Sequence, residues 1–286
     1  MNPRLLTLTS ALLFSTGGAA IKATTLTSWQ VGGFRSLVAA LTIAVILPGS
    51  RRNWTWRTLL VGLFYGLCLV SFVLATKNTT SANAIFLQGT APIYLVILGP
   101  WLLGEKNRSA DWATLALILV GMAGIFWQSS ASQRLAPDPA LGNFYGAFSG
   151  VAWAATVCGL RWLGRSGGAG RETDPMSPVL AGNLIAFALC APMLFPVQAF
   201  PVADVLAIFY LGTIQIGVAY WLLTKAIQRL SALEASLLIM LEPALNPLWT
   251  WLLHDELPSS MALAGGGLIV GATFMKSWQS RNNMLE

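Results

Sequence analysis

Long apolar runs, broken only by short polar stretches, constrain this chain more than any other feature of its sequence. Leu59 to Ala75, Ala113 to Trp127 and Met261 to Met275 are three of them. A helix needs about 20 mostly apolar residues to cross a bilayer. Water is absent there, so backbone groups must be satisfied within the segment or in a closed barrel. The alternation of an outer-membrane barrel, about 10 residues per strand, is not visible. Charged residues make up only 10% of the chain, against about 25% in a soluble domain. The expected class is an all-α integral membrane protein.

The formal charge of +6 would suit nucleic acid, but the charges fall in the connections between apolar runs. The bilayer is therefore the expected partner and nucleic acid is not. Cys68, Cys158 and Cys190 lie inside apolar segments and read as packing residues rather than a disulfide framework. Met1 to Ile21 resembles an uncleaved first span more than a removed signal peptide.

Ten spans are expected near residues 4–21, 29–47, 58–76, 82–103, 112–128, 141–162, 178–195, 203–226, 232–253 and 259–278. The longest connection, Leu163 to Ser177, leaves no room for a soluble catalytic or nucleotide-binding domain. Lys and Arg in short loops favour the cytoplasmic side. With the N-terminus cytoplasmic, thirteen of them, from Arg4, Arg51 and Arg52 to Lys276 and Arg281, fall on that side, against Lys22, Lys77 and Arg134 opposite. Moving one span would scramble this split, so it supports ten crossings with both termini cytoplasmic, in the inner membrane of a bacterium.

The two halves resemble each other. Ala91-Pro92 through Glu105 corresponds to Glu242-Pro243 through Glu256, each with proline thirteen residues before glutamate. Thr76-Lys77 matches Thr224-Lys225, and Ser81-Ala82 matches Ser231-Ala232. Ser10, Phe14 and Lys22 match Ser149, Trp153 and Arg161 at a common offset of 139. The expected division is a first repeat over 1–128, a connecting loop over 129–140 and a second repeat over 141–286. Five spans per repeat is an odd number, so the second repeat must be inverted relative to the first. Inverted repeats are a recurrent plan of secondary transporters, with the solute site near midplane between them.

These features, with Gly33-Phe34-Arg35-Ser36 opening the second span, resemble the drug/metabolite transporter superfamily and its EamA-type members. The resemblance covers nearly the whole chain. It implies two inverted five-helix repeats around a central cavity and export of small metabolites. Size and tryptophan content are similar to those of amino-acid exporters, including the YddG-like exporters of aromatic amino acids.

Proline removes a backbone donor and clashes with the carbonyl four residues back. Pro92 thus frees the carbonyl of Gln88 and Pro243 that of Ile239, marking hinges or carbonyl sites, though such kinks also merely shape packing. Glu242 is the only acid deep within a span. Ionisable residues at such depth usually face a cavity or a partner, so it is a candidate proton carrier or contact for a substrate ammonium. A structural hydrogen bond to the kinked backbone is the alternative. Arg35 is a candidate for a substrate carboxylate or a partner for Glu242. Phe14, Tyr65, Phe72, Gln88, Tyr94, Trp153, Gln215, Tyr220 and Asn246 complete the candidate cavity lining. A packed helix interface would produce the same aromatic stripes. Glycines 142, 146 and 150, and the pairs Gly62/Gly66 and Gly267/Gly271, have the spacing of close helix contacts and also permit a homodimer.

No GxxxxGK[ST] loop appears, so no ATPase of its own is expected. His254 is the single histidine, which makes neither a zinc site nor a Ser/His triad credible. No cofactor, metal or catalytic residue is expected. The reading is a secondary transporter exporting small metabolites by alternating access, amino acids and aromatic ones foremost. Drugs, nucleosides or other metabolites are the alternative cargo. A membrane-embedded enzyme or a channel is the alternative of another class.

Overall fold

The computed structural model describes residues 2–129, 137–165, 174–254 and 260–282. Among them every regular element is a helix. The first half supplies α1 (Pro3–Ser15), α2 (Gly17–Lys22), α3 (Ser28–Ile46), α4 (Trp56–Asn78), α5 (Ser81–Gln88), α6 (Ala91–Leu98) and α7 (Ser109–Ser129). The second supplies α8 (Pro139–Arg165), α9 (Ser177–Cys190), α10 (Val202–Tyr210), α11 (Ala219–Ile227), α12 (Ala232–Ile239), α13 (Leu241–His254) and α14 (Ser260–Asn282). A π-helical stretch, Leu211–Val218, joins α10 to α11, and a shorter one, Gly99–Leu103, continues α6.

Capping residues start these helices where the apolar runs begin. Thr27 and Gln30 form a capping box at α3, and Thr55 and Thr58 form one at α4, each satisfying amide groups that the first turn leaves orphaned. At 23 residues, α4 is about 34 Å long, enough for a hydrocarbon core of about 30 Å. By length and hydropathy, Pro3–Lys22, Ser28–Ile46, Trp56–Asn78, Asn83–Leu103 and Val202–Ile227 are long enough to cross a membrane. Ser109–Gly124, Ser177–Met193 and Leu263–Lys276 are apolar but shorter.

The two prolines do more than kink their helices. α5 ends at Gln88 and α12 at Ile239, the residues whose carbonyls Pro92 and Pro243 would clash with, and a new helix starts within three residues. The two short helices are matched at both ends. Thr80 caps α5 by accepting from the Asn83 amide, and Ser231 caps α12 by accepting from the Glu234 amide, both at 3.1 Å. Caps and ends share one offset of 151 (80 to 231, 88 to 239). Thr80, rather than Ser81, is therefore the structural counterpart of Ser231, one residue from the match read off the sequence.

The halves interlock. α4 packs along α8 and α9, α3 lies on α9 and the Leu211–Val218 stretch, and α1 lies on α11 and α13. A Cβ on Gly66 would stand 2.8 Å from the carbonyl oxygen of Gly182, and one on Gly150 would stand 2.7 Å from that of Leu87. Those two glycine series are thus consumed within the chain, whereas Gly267 and Gly271 meet nothing within 4 Å. α7 and α14 pair to one side, linked by a buried Lys276–Asp111 ion pair.

Polarity is distributed as a lipid solvent demands. Val45, Ile97, Trp101, Leu206 and Phe274 are all more than half exposed, while Thr7, Ser10, Ser36, Ser149 and Asn183 are fully buried. A monomeric soluble protein rarely tolerates so continuous an apolar exterior. The chain is an all-helical, multi-pass membrane protein with two repeated halves.

Candidate functional site

A cavity of about 40 Å³ lies where the two halves meet. From the first half come Phe14 of α1, Arg35 of α3, Cys68, Leu69 and Phe72 of α4, and Gln88 at the end of α5. From the second come Trp153 of α8, Gln215 and Ile216 of the π-helical stretch, Tyr220 of α11 and Glu242 of α13. The broken helices explain two of these positions. Gln88 is the last residue before one break and Glu242 the second residue after the other, so each sits where backbone polarity is already exposed.

Tyr220 is the hub of an aromatic cluster. Its ring centroid is 4.9 Å from Phe14, 6.0 Å from Trp153 and 4.6 Å from Tyr65, and Phe14 and Trp153 are 6.3 Å apart edge to face. These separations and tilts match the preferred geometry of aromatic pairs. Π-helical winding brings the opposite wall close. A Cβ on Gly212 would stand 2.6 Å from Val38 and 2.8 Å from the Arg35 carbonyl oxygen, so only glycine lets this stretch rest on α3. Π-helical turns are uncommon and frequently occur at functional sites.

The cavity holds two opposite charges that do not meet. Arg35 is 1% exposed. Its Nη2 donates to the Leu69 carbonyl at 3.0 Å, and its Nε has no protein acceptor. Glu242 is half-buried. No ion pair within 4.0 Å joins it to Arg35 among the described residues, so the pairing considered from sequence is not formed. Gln88 donates through Nε2 to the Cys68 sulfur at 3.4 Å, while the buried Gln215 Oε1 has no donor.

Of the residues singled out from sequence, Phe14, Phe72, Gln88, Trp153, Gln215, Tyr220, Glu242 and Arg35 line this one cavity. Tyr65, Tyr94 and Asn246 do not. Tyr65 packs edge to face against Tyr220 behind the lining, with its hydroxyl 3.5 Å from Asn183 Nδ2. Tyr94 lies beyond the helix break and is packed at the rim of the core. Asn246 is turned toward Gly18 of α2. Cys68 was missed, although it stands three residues after Tyr65 and four before Phe72, on one face of α4.

A larger vestibule of about 900 Å³ opens toward one end of the bundle, lined by Arg52, Arg57, Arg165, Asp174, Trp56 and Thr224 among others. Thr224 is one helical turn from Tyr220, so vestibule and cavity meet the same helix, α11, one turn apart. Arg57 lies 4.7 Å from the Trp162 ring. Beside the vestibule, Glu105 accepts from Arg161 Nε at 2.7 Å and from the Ala232 amide at 2.9 Å. Arg161 also donates to the carbonyls of Ile227 and Gln228. At the opposite end, Lys22 donates to the Thr79 carbonyl and Lys77 to that of Thr24.

The overall fold is shared with known proteins. Twenty-nine chains of solved structures match. One, described only as the crystal structure of a protein, is 22% identical and covers 98% of both chains with a TM-score of 0.75, a likeness of fold. No functionally curated protein matches. The sequence model of the EamA-like transporter family matches residues 3–127 and again 140–278. This chain therefore belongs to the EamA-like transporter family, whose members are membrane transporters of small metabolites.

Proposed function

We propose that the chain crosses the inner membrane of a bacterium ten times, as inverted five-helix repeats with both termini cytoplasmic, and exports amino acids, aromatic ones foremost. The carrying observation is the cluster of Phe14, Trp153 and Tyr220 on the wall of a cavity between the repeats. Aromatic faces joined by a few polar groups suit an amphipathic solute. At about 40 Å³ the cavity is far below the 300–1,000 Å³ typical of ligand sites. A solute is therefore admitted only when the walls part, as alternating access requires.

In this reading the vestibule is the cytoplasmic entrance and the Tyr65–Tyr220 layer its inner gate. The breaks before Pro92 and Pro243 are the hinges. Discontinuous helices at the centre of inverted repeats supply binding polarity and pivot together. Counterflow into liposomes carrying the purified chain, with a panel of amino acids, nucleosides and cationic drugs, tests it. Saturable exchange of phenylalanine, tyrosine or tryptophan supports the reading. Exchange of nucleosides or drugs alone would overturn the cargo, and ion current without saturation the carrier mechanism.

A further inference from the structure

We propose that Arg35 and Glu242 form a two-point site for a zwitterion, the guanidinium taking the carboxylate and Glu242 the ammonium of an α-amino acid. The proposal rests on the transport reading above and names what its cavity recognises.

A guanidinium offers five donors. In Arg35 one is used on a backbone carbonyl, the Nε is buried without an acceptor, and no carboxylate of the described residues lies within 4.0 Å. A buried charge left without a partner is strongly unfavourable, so an arriving anion gains what the empty site lacks. Guanidinium and carboxylate are matched for two parallel hydrogen bonds. On the same lining the deficit is of donors: among the described residues Glu242 forms no ion pair, and the Gln215 Oε1 is buried and unmatched. Donors thus lack acceptors on the α3 side, and acceptors lack donors on the side of α13 and the π-helical stretch.

One ligand class corrects both deficits. Arg35 and Glu242 carry opposite formal charges, so the site is matched by a solute bearing both charges and no net charge. An amine would leave Arg35 unpaired, a carboxylate would leave Glu242 unpaired, and an uncharged solute would leave both. Sites that hydrogen-bond a particular group reject analogues lacking it far more strongly than apolar pockets discriminate by size. Arg35 belongs to the first half and Glu242 to the second. A bound amino acid would therefore bridge the repeats ionically, and its arrival would bear on their relative position.

The test uses the full chain, in detergent for binding and in liposomes for flux. Thermal unfolding is followed with tryptophan, with tryptamine (ammonium only) and with indole-3-propionate (carboxylate only) at equal concentration. A ligand that binds only the folded state raises its stability by RT ln(1 + [L]/Kd). Tryptophan should stabilise most. Arg35→Gln should abolish the effect of indole-3-propionate, keep that of tryptamine, and weaken tryptophan about 10- to 100-fold. Arg35→Lys, which keeps the charge but not the fork, should recover part of the tryptophan affinity and serves if the glutamine variant does not fold. Glu242→Gln should give the reverse pattern with the two half-ligands. Equal stabilisation by tryptamine and tryptophan, or an undiminished indole-3-propionate effect in Arg35→Gln, would overturn the site. Stabilisation by tryptophan without flux would overturn the transport reading and leave the site standing. Equal flux of tryptamine and tryptophan would do the opposite.

Discussion

Glu105 and Arg161 join the end of the α6 rod to α8 and to the start of α12, across the two repeats. The pair is 2.7 Å apart, with side chains 14% and 16% exposed. Removing one member of a fully buried pair is destabilising by about 3–5 kcal/mol, whereas an exposed pair contributes about 0.2–1 kcal/mol. Slight exposure places Glu105→Gln between these, at about 2 kcal/mol. Glu105→Ala also loses the bond from the Ala232 amide, at the positive end of α12, adding about 1 kcal/mol. At about 1.7 °C per kcal/mol, from about 2.1 cal/mol/K per residue over 286 residues, thermal unfolding in detergent should fall by about 3–4 °C for the glutamine variant and further for alanine. A double-mutant cycle with Arg161→Met isolates the contact, and a coupling of about 1.5–2 kcal/mol is expected. Coupling below about 0.5 kcal/mol would refute the claim that this pair holds the repeats together, because the single-variant losses would then arise elsewhere.

Three other outcomes follow from the same geometry. Trp153→Ala should raise the half-saturation for an aromatic amino acid several-fold in counterflow, since an aromatic contact with the solute of about 0.5–1.5 kcal/mol would be lost; Trp153→Phe should recover part of it, and unaltered kinetics would remove Trp153 from the site. Gly212→Val should lower stability by several kcal/mol, because even its Cβ would stand 2.6 Å from Val38; a variant as stable as wild type would mean the π-helical stretch does not rest on α3 as described. If Glu242 carries a coupling proton, Glu242→Gln should leave amino-acid exchange insensitive to an imposed pH gradient, measured in liposomes at normal protein abundance. A response equal to wild type would sink that role.

Some of the site was legible in the sequence because covalent chemistry dictates it. A proline at 92 or 243 must break the helix near residue 88 or 239, so Gln88 and Glu242 were identifiable as residues at a polar midpoint. Tyr65, Cys68 and Phe72 share a face by helical spacing alone, yet Tyr65 packs behind the lining because spacing fixes a face and not the depth of a ring. Gln215 could be named as polar but not aimed, since π-helical winding departs from the period that side-chain counting assumes. The Glu105–Arg161 contact was out of reach: both residues were noted, but 56 positions separate them and only packing brings them together. Arg35 was visible as a cation within a span. Its missing acceptor was not, because an unpaired donor is a property of everything around it.

The repeats obey their symmetry at the two ends and break it in the middle. Lys22 of the first repeat donates to the Thr79 carbonyl, and its counterpart Arg161 donates to that of Ile227. Thr79 and Ile227 differ by 148 residues, the same step as from Thr76 to Thr224. Equivalent tethers at opposite ends are what two interchangeable conformations need if each end is to close in turn. At the cavity the correspondence fails. Glu242 stands where the first repeat has Ala91, and α4 runs as one continuous helix while α10 and α11 are joined by π-helical turns. An α-amino acid has a carboxylate at one end of its backbone, an ammonium at the other, and no two-fold axis. A site that holds it at both ends must itself lack that axis, so on the zwitterion proposal the symmetry is lost where the cargo is held and kept where only the gates move.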